Sequence, residues 1–589
     1  RIIRADRDGF IVTERTKWAD PAADVTNNAL NDFLHRFDNM TAEQMGFDPT
    51  VYDAPETDAN IARAREALEK VIPKDMKPKG KKSKLPVRKV GVPRAEGEGG
   101  LRWFYASEPT SAARGMRSRA TRGYPAWDPV EDGIVFIKDG WRSDTGSVLK
   151  EAEVIKELND AGVQYAPKLI CGGDLPGQRT VTGDYVDAVW NKGQRKTHHP
   201  RVHHRIAMNF GLPLWKFRST QHLMHILHDA FTCHLQAVDK CRKLHRDFSA
   251  WNILWDEASG RGFLADWDLC APMPPKGASD KDPSVNMMAQ LPSGSGRPER
   301  TGTWMFMSTL SLSTNHKLHD VQDDLEALFW VAVYIVILYT PFPQGRAIHI
   351  VDAIFTEYSF VDGEPTGGSG KTSFLSNARN ELYRIDLPDS PVISAWLRGY
   401  RRLIHNWVLY HFQKVEDGDR ADDDAFAAFL PPTNAQAPPF DYATVDQAWV
   451  GMMENGEKKG RFKDGDRLND KEHQLHPFEV TALYRARLEE EAEEAKLAHA
   501  SAQHALAVLK AASAPLPHRS HPSHAGTSQS NTLMGSSSEP VADDTNEEEA
   551  ERGAKRQRTS KATFKRTSSP QHDQCGRGSP GKGRGSMPK

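Results

Sequence analysis

The sequence has few cysteines and no long apolar run, and each absence excludes a class of protein. Its 589 residues contain neither a CxxC pair nor the ligand spacing of a zinc site, which argues against a disulfide framework and a structural metal. The five cysteines are Cys171, Cys233, Cys241, Cys270 and Cys575. The longest apolar run, residues 327–339, is shorter than the roughly 20 residues of a membrane-spanning helix. We therefore expect no membrane partner and an intracellular location, cytoplasmic or nuclear.

An excess of one charge is also lacking. The chain carries 77 Lys and Arg against 79 Asp and Glu, a formal net charge of −2. No field across the whole molecule would therefore attract nucleic acid. A nucleic-acid partner is expected only if it uses one of two local basic segments, residues 74–94 and 552–566. Hydrophobic residues make up 38% of the chain, which allows a sizeable core but not a fully folded chain of this length.

Changes in composition along the chain predict five regions. Helix-like apolar spacing opens the chain, and a stretch rich in Lys and Arg with interspersed Pro and Gly follows it. The densest apolar stretch comes next, whereas the last part is rich in Ser, Pro and Gly. The predicted regions are an N-terminal helical extension over 1–72, a basic flexible linker over 73–100, the main folded unit over 101–415 with a flexible insert at 272–300, a C-terminal helical extension over 416–511 and a disordered charged tail over 512–589.

Three oxygen-bearing side chains in the main unit have the spacing of a phosphoryl-transfer site. Asp247 is followed five residues later by Asn252, and Asp266 comes after an intervening strand-like segment. Transfer of a phosphoryl group to a hydroxyl needs a carboxylate that orients the acceptor and hard oxygen ligands that hold Mg²⁺. We therefore predict that Asp247 orients the acceptor and that Asn252 and Asp266 hold Mg²⁺. The alternative is a buried ion-pair network without chemistry.

A lone lysine ends a strand-like segment upstream of these loops. Residues 133–138 have the pattern of a buried strand and residues 148–155 that of a helix. Burying an ammonium group beside nucleotide phosphates requires a carboxylate that positions it. Glu151 fits this need, and its rival Glu153 lies about 200° around the helix. We predict that Lys138 grips phosphate oxygens and that Glu151 holds Lys138.

Two helices are predicted to flank the loop of Asp247. Ser219 and Thr220 can cap a helix that has apolar residues at helical spacing and leads into this loop. A second, strongly apolar segment follows Asp324 and predicts a central buried helix. Asp324 is expected to accept backbone N–H groups from the loop of Asp247.

As an ordered set, these motifs resemble the fungal-type protein kinase family, an offshoot of the eukaryotic protein-kinase fold. The resemblance covers roughly residues 100–410. The matching positions are Lys138, Glu151, His245-Arg246-Asp247 with Asn252, Asp266-Trp267-Asp268, Gly302-Thr303 with Phe306-Met307-Ser308, and Asp323-Asp324-Leu325-Glu326-Ala327, the last of which also resembles casein-kinase-1-type sequences. The resemblance implies an α+β, two-lobed protein-kinase-like fold, with a small β-rich N-lobe and a larger helical C-lobe. It also implies ATP and Mg²⁺ as cofactors, and transfer of the γ-phosphate to Ser or Thr hydroxyls of a protein substrate.

The segment that should cover the phosphates departs from the family pattern. Several glycines are expected there so that backbone N–H groups can approach the nucleotide, but residues 113–120 contain only Gly115. Gly115 is the predicted nucleotide contact in this segment. Arg114, Arg117 and Arg119 either contact phosphates in place of the missing glycines or are solvated at the surface.

Three further positions depart from the pattern. Ser249 stands where Ser/Thr kinases usually have a Lys, which removes one positive charge from the transition state. Asp268 replaces the Gly of the metal-binding triplet, and Ser308 replaces the Glu that normally closes the activation segment. The last two changes predict an activation segment that switches less, or differently.

Arg246 is predicted to act beside Asp247 by pairing with a phosphate on the activation segment. The candidate phosphosites are Thr301, Thr303 or a serine within residues 272–300. Such a pair would order the segment.

Two other functions stay open. A pseudokinase that binds partners without turnover is suggested by Ser249 and by the poor glycine loop. A small-molecule kinase of the aminoglycoside or choline type is suggested because its metal loop often resembles Asp266-Trp267-Asp268. Arg246, Gly302-Thr303 and the helix after Asp324 favour a peptide substrate over a small molecule.

Overall fold

The computed structural model describes residues 3–12, 29–72, 84–94, 98–112, 119–144, 148–185, 187–190, 200–273, 302–314, 317–339, 349–361, 364–376, 390–418 and 437–462. The chain divides into two compact units, Arg1–His499 and Ala500–Lys589, and every described residue lies in the first. Several sequence-based expectations lie outside the described residues. They concern Gly115, residues 274–300 of the insert, Thr301 and the tail over 512–589.

Helices and strands occur in most of the described segments, joined by turns and loops. The α-helices are α1 (Ala29–Asp38), α2 (Ile61–Val71), α3 (Glu151–Asp160), α4 (Thr220–Cys241), α5 (Thr309–Ser313), α6 (Val321–Tyr339), α7 (Ser369–Ser376), α8 (Pro391–Gly418) and α9 (Tyr442–Lys458). The strands are β1 (Ile3–Ala5), β2 (Phe10–Val12), β3 (Val51–Asp53), β4 (Arg88–Pro93), β5 (Leu101–Ala106), β6 (Ser111–Ala112), β7 (Arg122–Asp128), β8 (Gly133–Ser143), β9 (Leu169–Arg179), β10 (Arg201–Asn209), β11 (Leu212–Pro213), β12 (Lys243–Leu244), β13 (Ile253–Trp255), β14 (Gly262–Leu264), β15 (Ala271–Pro272), β16 (Tyr358–Val361) and β17 (Glu364–Gly367).

The largest sheet has eight strands, and its pairs are antiparallel. Its order is β3-β4-β5-β7-β8-β10-β9, with β6 paired to β7. Helices α4 to α9 follow this sheet in the chain, apart from short strands. This mixture of an antiparallel sheet and a helical part confirms the predicted α+β class.

One strand of this sheet lies where the sequence predicts a flexible linker. Residues 88–93 form β4, which pairs with β3 on one side and β5 on the other. The expectation of a flexible linker over 73–100 is therefore wrong for this stretch. Val90 and Val92 are buried in the sheet, and Lys89 is paired with an aspartate that precedes α2. Burial of these apolar residues stabilises the strand although basic residues dominate the local composition.

The predicted N-terminal helical extension is helical only in part. It also contributes β1, β2 and β3, and β3 pairs into the main sheet. α2 buries an apolar stripe, including Ala64 and Leu68, against Tyr105 and Trp127 of the sheet. The neighbouring Phe104 belongs to the hydrophobic cluster on the other side of the sheet, as the alternation of side chains along a strand requires. This extension is therefore part of the same fold as the main unit.

Helices α4 and α6 form the centre of the helical part. The predicted cap of α4 is confirmed, because the Ser219 hydroxyl accepts a hydrogen bond from the His222 N–H at 3.1 Å. α6 begins at Val321, three residues before Asp324, and its side chains are buried around the whole helix from Leu325 to Leu338. This confirms the predicted central helix, since only a fully buried helix is apolar on all faces. Among the described residues, no helix has both the length and the apolar character that crossing a bilayer requires.

The predicted boundary at residue 415 falls inside a helix. α8 continues to Gly418, and α9 lies within the predicted C-terminal extension. Trp449 of α9 is fully buried and contacts the rings of Phe231 in α4 and Trp396 in α8. α9 therefore belongs to the main core, because one large aromatic side chain contributes much apolar burial.

Candidate active site

Two short strand pairs bring the predicted catalytic and metal loops together. β13 begins directly after Asn252, β14 ends two residues before Asp266, and the two strands pair with each other. β12 ends three residues before Asp247 and pairs with β15, which follows the loop of Asp266. Asp247, Asn252 and Asp266 therefore lie on neighbouring loops of one small framework.

Lys138 of β8 reaches this framework from the main sheet. Its Nζ lies 2.7 Å from Glu151 Oε2 and 2.6 Å from Asp266 Oδ1. Glu151 is the first residue of α3, and Lys150 before it has an extended backbone. The helix therefore starts three residues later than the predicted residue 148. Glu151 Oε1 also accepts the Trp267 N–H at 3.1 Å. Its rival Glu153 pairs instead with the partly exposed Lys150 at 2.7 Å.

Asp268 adds a third carboxylate to this cluster, and its partner Arg119 adds a second cation. Its Oδ2 lies 3.3 Å from Lys138 Nζ and also contacts Arg119 Nη1. Sequence reasoning treated Asp268 as a departure from a family glycine and left the role of Arg119 open. The sequence did contain one signal for this contact. Asp268 lies two positions after the predicted metal ligand Asp266, and a second carboxylate buried so close needs a cation nearby.

Burial and mutual repulsion shift the protonation of these carboxyl groups. Burial raises the pKa of Glu151 to about 7 despite the contact with Lys138. Burial and the neighbouring Asp268 also raise the pKa of Asp266. Although burial lowers the pKa of Lys138, the nearby carboxylates outweigh it, and the net pKa lies above its ordinary value. Among the described residues, the cluster thus holds three carboxylates against two cations, Lys138 and Arg119.

A divalent cation fits this donor set. One oxygen each from Glu151, Asp266 and Asp268 lies within 4.8 Å of the others, and carboxylate oxygens are the ligands that Mg²⁺ prefers. Asn252 donates its amide N–H groups to Asp247, at 2.8 Å to the backbone oxygen and 3.2 Å to Oδ2. Neither bond uses the Asn252 amide oxygen, which is the atom that would bind a cation. A cation here would also relieve the repulsion that contributes to the raised pKa values of Glu151 and Asp266.

Asp247 is fixed by the segment that follows the insert. Its Oδ1 accepts the Thr303 N–H at 2.7 Å and the Thr303 hydroxyl at 2.8 Å. Burial raises the pKa of Asp247. The preceding Gly302 has a φ of 109°, and a Cβ there would lie 2.7 Å from the Arg246 carbonyl oxygen, so glycine is required for this close approach. The Thr303 hydroxyl thus donates to Asp247, the residue that was predicted to orient the hydroxyl of the phosphate acceptor.

His245 supports the Asp247 loop as a neutral imidazole. It is fully buried, and its Nε2 lies 3.0 Å from the Ala265 carbonyl oxygen. Its Nδ1 accepts the Asp247 N–H at 3.2 Å. Burial lowers the pKa of His245 to about 4. These contacts assign the proton to Nε2, since a carbonyl oxygen can only accept and a backbone N–H can only donate.

Asp324 anchors the same loop from α6. Its Oδ2 accepts the Arg246 N–H at 3.1 Å, which confirms the predicted contact between Asp324 and the loop. The carboxylate also contacts His234 Nε2 at 2.8 Å and His319 Nε2 at 2.9 Å. These two imidazoles hold the pKa of Asp324 well below its ordinary value, against the opposing effect of burial. Sequence reasoning did not include either histidine.

The segment after Thr303 has a second set of buried polar contacts that the sequence did not predict. Glu326 of α6 accepts the Thr309 N–H at 2.7 Å and the Trp330 indole N–H at 2.8 Å. Lys371 is fully buried and donates to the Met307 carbonyl oxygen. Burial lowers the pKa of Lys371 to about 7. These contacts fix the end of the segment, although Ser308 replaces the expected closing Glu.

The structure brings most of the predicted site residues together. Lys138, Glu151 and Asp266 are in direct contact, and Asn252 contacts Asp247. Arg246 lies in the same loop, with its backbone bound to Asp324 and its left-handed φ of 70°. The residues that the structure adds are Asp268, Arg119, Thr303, His234 and His319.

One comparison with known proteins, a scan of family models, agrees with the resemblance seen in the motifs. Residues 177–336 match the family model described as fungal protein kinase. This match confirms the predicted resemblance over a region that contains the loops of Asp247 and Asp266 and begins after Lys138 and Glu151. A comparison with curated proteins finds no match. Among solved structures, the chain is similar to the kinase PK-1 of the Cydia pomonella granulovirus, with 12% identity, a TM-score of 0.30, and coverage of 49% of this chain and 86% of that one.

Proposed function

We propose that this chain, whose residues 177–336 match the family model of fungal protein kinases, transfers the γ-phosphate of ATP to Ser or Thr hydroxyls of protein substrates. In this proposal the main sheet is the smaller lobe of a two-lobed kinase and the helical part is the larger one. The observation that carries the proposal is the position of Lys138, which contacts Asp266 of the metal loop and Glu151 of α3 at the same time. A kinase needs such a lysine beside its metal-binding carboxylate.

Asp247 is the residue that orients and accepts the proton of the substrate hydroxyl. Its Oδ1 already accepts a hydrogen bond from the Thr303 hydroxyl, so the carboxylate is placed to interact with a hydroxyl of the Ser/Thr type. Burial raises its pKa, which makes it a better proton acceptor in the transition state. No covalent enzyme intermediate is required, because positioning and charge stabilisation supply most of the acceleration.

Asn252 and Asp266 are the residues that would hold Mg²⁺. When bound, Mg²⁺ neutralises charge on the phosphate oxygens during transfer. Lys138 binds phosphate oxygens, and Glu151 keeps its ammonium group directed toward them. Arg246 is proposed to pair with a phosphate on the activation segment, for which Thr301 is a better candidate than Thr303, whose hydroxyl is bound to Asp247.

The test compares the full chain with its Asp247→Asn variant. Both are incubated with γ-labelled ATP and Mg²⁺, and label in protein Ser and Thr residues is measured. We expect incorporation by the wild type and a loss of about a hundredfold or more in the variant, the usual effect of removing the group that handles the proton. Equal incorporation by both chains would contradict the assignment of Asp247.

The same assay separates the two other functions. A pseudokinase would bind ATP, detected as a rise in thermal unfolding temperature, without labelling any acceptor. A small-molecule kinase would label aminoglycosides or choline and leave protein unlabelled. Either result would replace the proposed function.

A further inference from the structure

A single carboxylate oxygen joins two cations that come from separate parts of the chain. Asp268 Oδ2 contacts Arg119 and lies 3.3 Å from Lys138 Nζ. Arg119 precedes β7, whereas Lys138 lies within β8. The oxygen therefore occupies the position between two positive groups that an anionic ligand would also favour.

Arg119 is held close to Lys138 by its backbone and not by its side chain alone. Its carbonyl oxygen accepts the Trp141 N–H at 2.7 Å, and Trp141 lies three residues beyond Lys138 on β8. A Cβ at the intervening Gly140 would lie 3.3 Å from the Thr121 hydroxyl oxygen, so the two chain segments approach closely there. The base of the Arg119 side chain is thus fixed relative to Lys138.

The Arg119 guanidinium has room to bind a second partner. Its side chain is 40% exposed, whereas that of Asp268 is 19% exposed and that of Lys138 10%. One edge of the planar guanidinium group contacts Asp268 through Nη1, and because the group has five N–H donors, others are left for a second acceptor.

The charge balance of the site calls for such a cation. Among the described residues, the cations that contact the carboxylates of Glu151, Asp266 and Asp268 are Lys138 and Arg119. Ser249, which stands where Ser/Thr kinases usually have a Lys, is buried and uncharged. A polyphosphate entering this cluster would need a second fixed cation besides Lys138.

We propose that Arg119 is a phosphate-binding residue for the nucleotide, and that Asp268 holds it in place, together with Lys138, until phosphate oxygens displace the carboxylate. This inference rests on the proposed function, since it names the nucleotide contacts of the same site. Asp268 then competes with phosphate for the two cations. Arg119 replaces the backbone contacts that the missing glycines would make, and supplies the charge that Ser249 lacks.

The inference predicts opposite effects for its two residues. Removing Arg119 weakens the binding of phosphates, whereas removing Asp268 frees both cations and strengthens it. Adenosine, which carries no phosphate, is bound equally in all cases. The gain from removing Asp268 also depends on Arg119, because one of the two freed cations is absent in the double variant.

The experiment measures dissociation constants of ATP and of adenosine for the full chain by isothermal titration calorimetry, in EDTA and in Mg²⁺. The variants are Arg119→Gln, Asp268→Asn and the double variant. We expect Arg119→Gln to weaken ATP binding about tenfold to hundredfold, the effect of one charge-assisted hydrogen bond, with adenosine unchanged. Asp268→Asn is expected to tighten ATP binding in EDTA by about tenfold, and by less in the Arg119→Gln background.

A matched control is available beside the same sheet but away from the cluster. Arg63 Nη2 and Asp132 Oδ2 form an ion pair at 3.0 Å between α2 and the turn before β8. Arg63→Gln and Asp132→Asn make the same changes in charge away from the cluster, and we expect ATP binding by both to equal that of the wild type. Asp268→Gly, which introduces the residue typical of the metal-binding triplet, repeats the test of Asp268 with a second substitution.

The outcomes distinguish this inference from the proposed function. ATP binding that is lost in Lys138→Met but unchanged in Arg119→Gln overturns the role of Arg119 and leaves the proposed function intact. Weaker binding of metal-free ATP by Asp268→Asn, or an equal gain with and without Arg119, overturns the role of Asp268. A wild-type chain that does not bind ATP overturns both.

Discussion

Glu151 joins the main sheet to the loop of Asp266 and Asp268 through its two carboxylate oxygens. Oε2 lies 2.7 Å from Lys138 Nζ, and Oε1 accepts the Trp267 N–H at 3.1 Å. Because Trp267 stands between Asp266 and Asp268, one side chain positions both the lysine and the loop that carries these two carboxylates. The position of Lys138 therefore depends on α3 as well as on its own strand.

Replacing Glu151 should weaken the binding of ATP phosphates by Lys138 and have a smaller effect on the stability of the fold. For Glu151→Gln we expect kcat/KM for ATP to fall about tenfold or more, because the amide no longer provides the charge that holds the ammonium group. The measurement is steady-state phosphoryl transfer at varied ATP. Glu153→Gln is the matched control, since Glu153 lies on the same helix and pairs only with the partly exposed Lys150. Equal kinetics for both variants would contradict the role of Glu151.

The Thr303 hydroxyl should affect the rate of phosphoryl transfer, because it helps to orient Asp247. Thr303→Val removes the 2.8 Å hydrogen bond to Asp247 Oδ1 and keeps the backbone bond at 2.7 Å. We expect kcat to fall about tenfold with little change in the KM for ATP, because the carboxylate loses one of the contacts that orient it.

Thr303→Ser is the control, since it keeps the hydroxyl and loses only a methyl group. It should retain most of the wild-type kcat in the same assay. If Thr303→Ser were as slow as Thr303→Val, the loss would come from packing and not from the hydrogen bond to Asp247.

The loops of the site could be predicted from sequence because their chemistry depends on close spacing. Asp247 and Asn252 are five residues apart, and Asp266 follows one β-hairpin later. Local strand pairing is enough to bring such residues together. Lys138 and Glu151 were also accessible, since a buried lysine needs a carboxylate and the helical geometry favours Glu151 over Glu153.

The contacts that sequence reasoning missed join residues far apart in the chain. Arg119 and Asp268 are separated by 149 positions, and His234 and Asp324 by 90. Neither pair follows from a local period, because tertiary packing alone brings the partners together. The linker expectation was wrong for a different reason: the stretch before β4 is rich in Lys and Arg, but β4 itself buries two valines and pairs with a strand on each side.

Asp324 should contribute strongly to stability because its contacts are buried. Its two imidazole partners hold its pKa well below the ordinary value. For Asp324→Asn at pH 7 we expect the free energy of unfolding to fall by about 3 kcal/mol, the usual effect of removing one partner from a buried charged network. Urea denaturation measures this change.

Asp446→Asn provides a matched control for Asp324. Asp446 contacts His228 at 3.0 Å, and both His228 and His234 lie on α4. Because the Asp446 pair is partly exposed, its removal should cost less than about 1 kcal/mol. A comparable loss in the two variants would show that burial does not set the strength of the Asp324 contacts.

His245 should make the folded state sensitive to acid. Burial lowers its pKa from the ordinary 6.5 to about 4, so between these values the unfolded chain binds a proton that the folded chain does not. The free energy of unfolding therefore falls as the pH decreases from 6.5 to 4, and the contribution of His245 to this fall is about 3 kcal/mol. Other histidines also titrate in this range, so urea denaturation at pH 7.5 and 4.5 is compared between the wild type and His245→Asn. We expect the variant to be less stable at pH 7.5, because its contact with Ala265 is changed, but to lose less stability on acidification. Equal losses would mean that the native imidazole takes up a proton as readily as the unfolded one, and that its two hydrogen bonds do not require the neutral form.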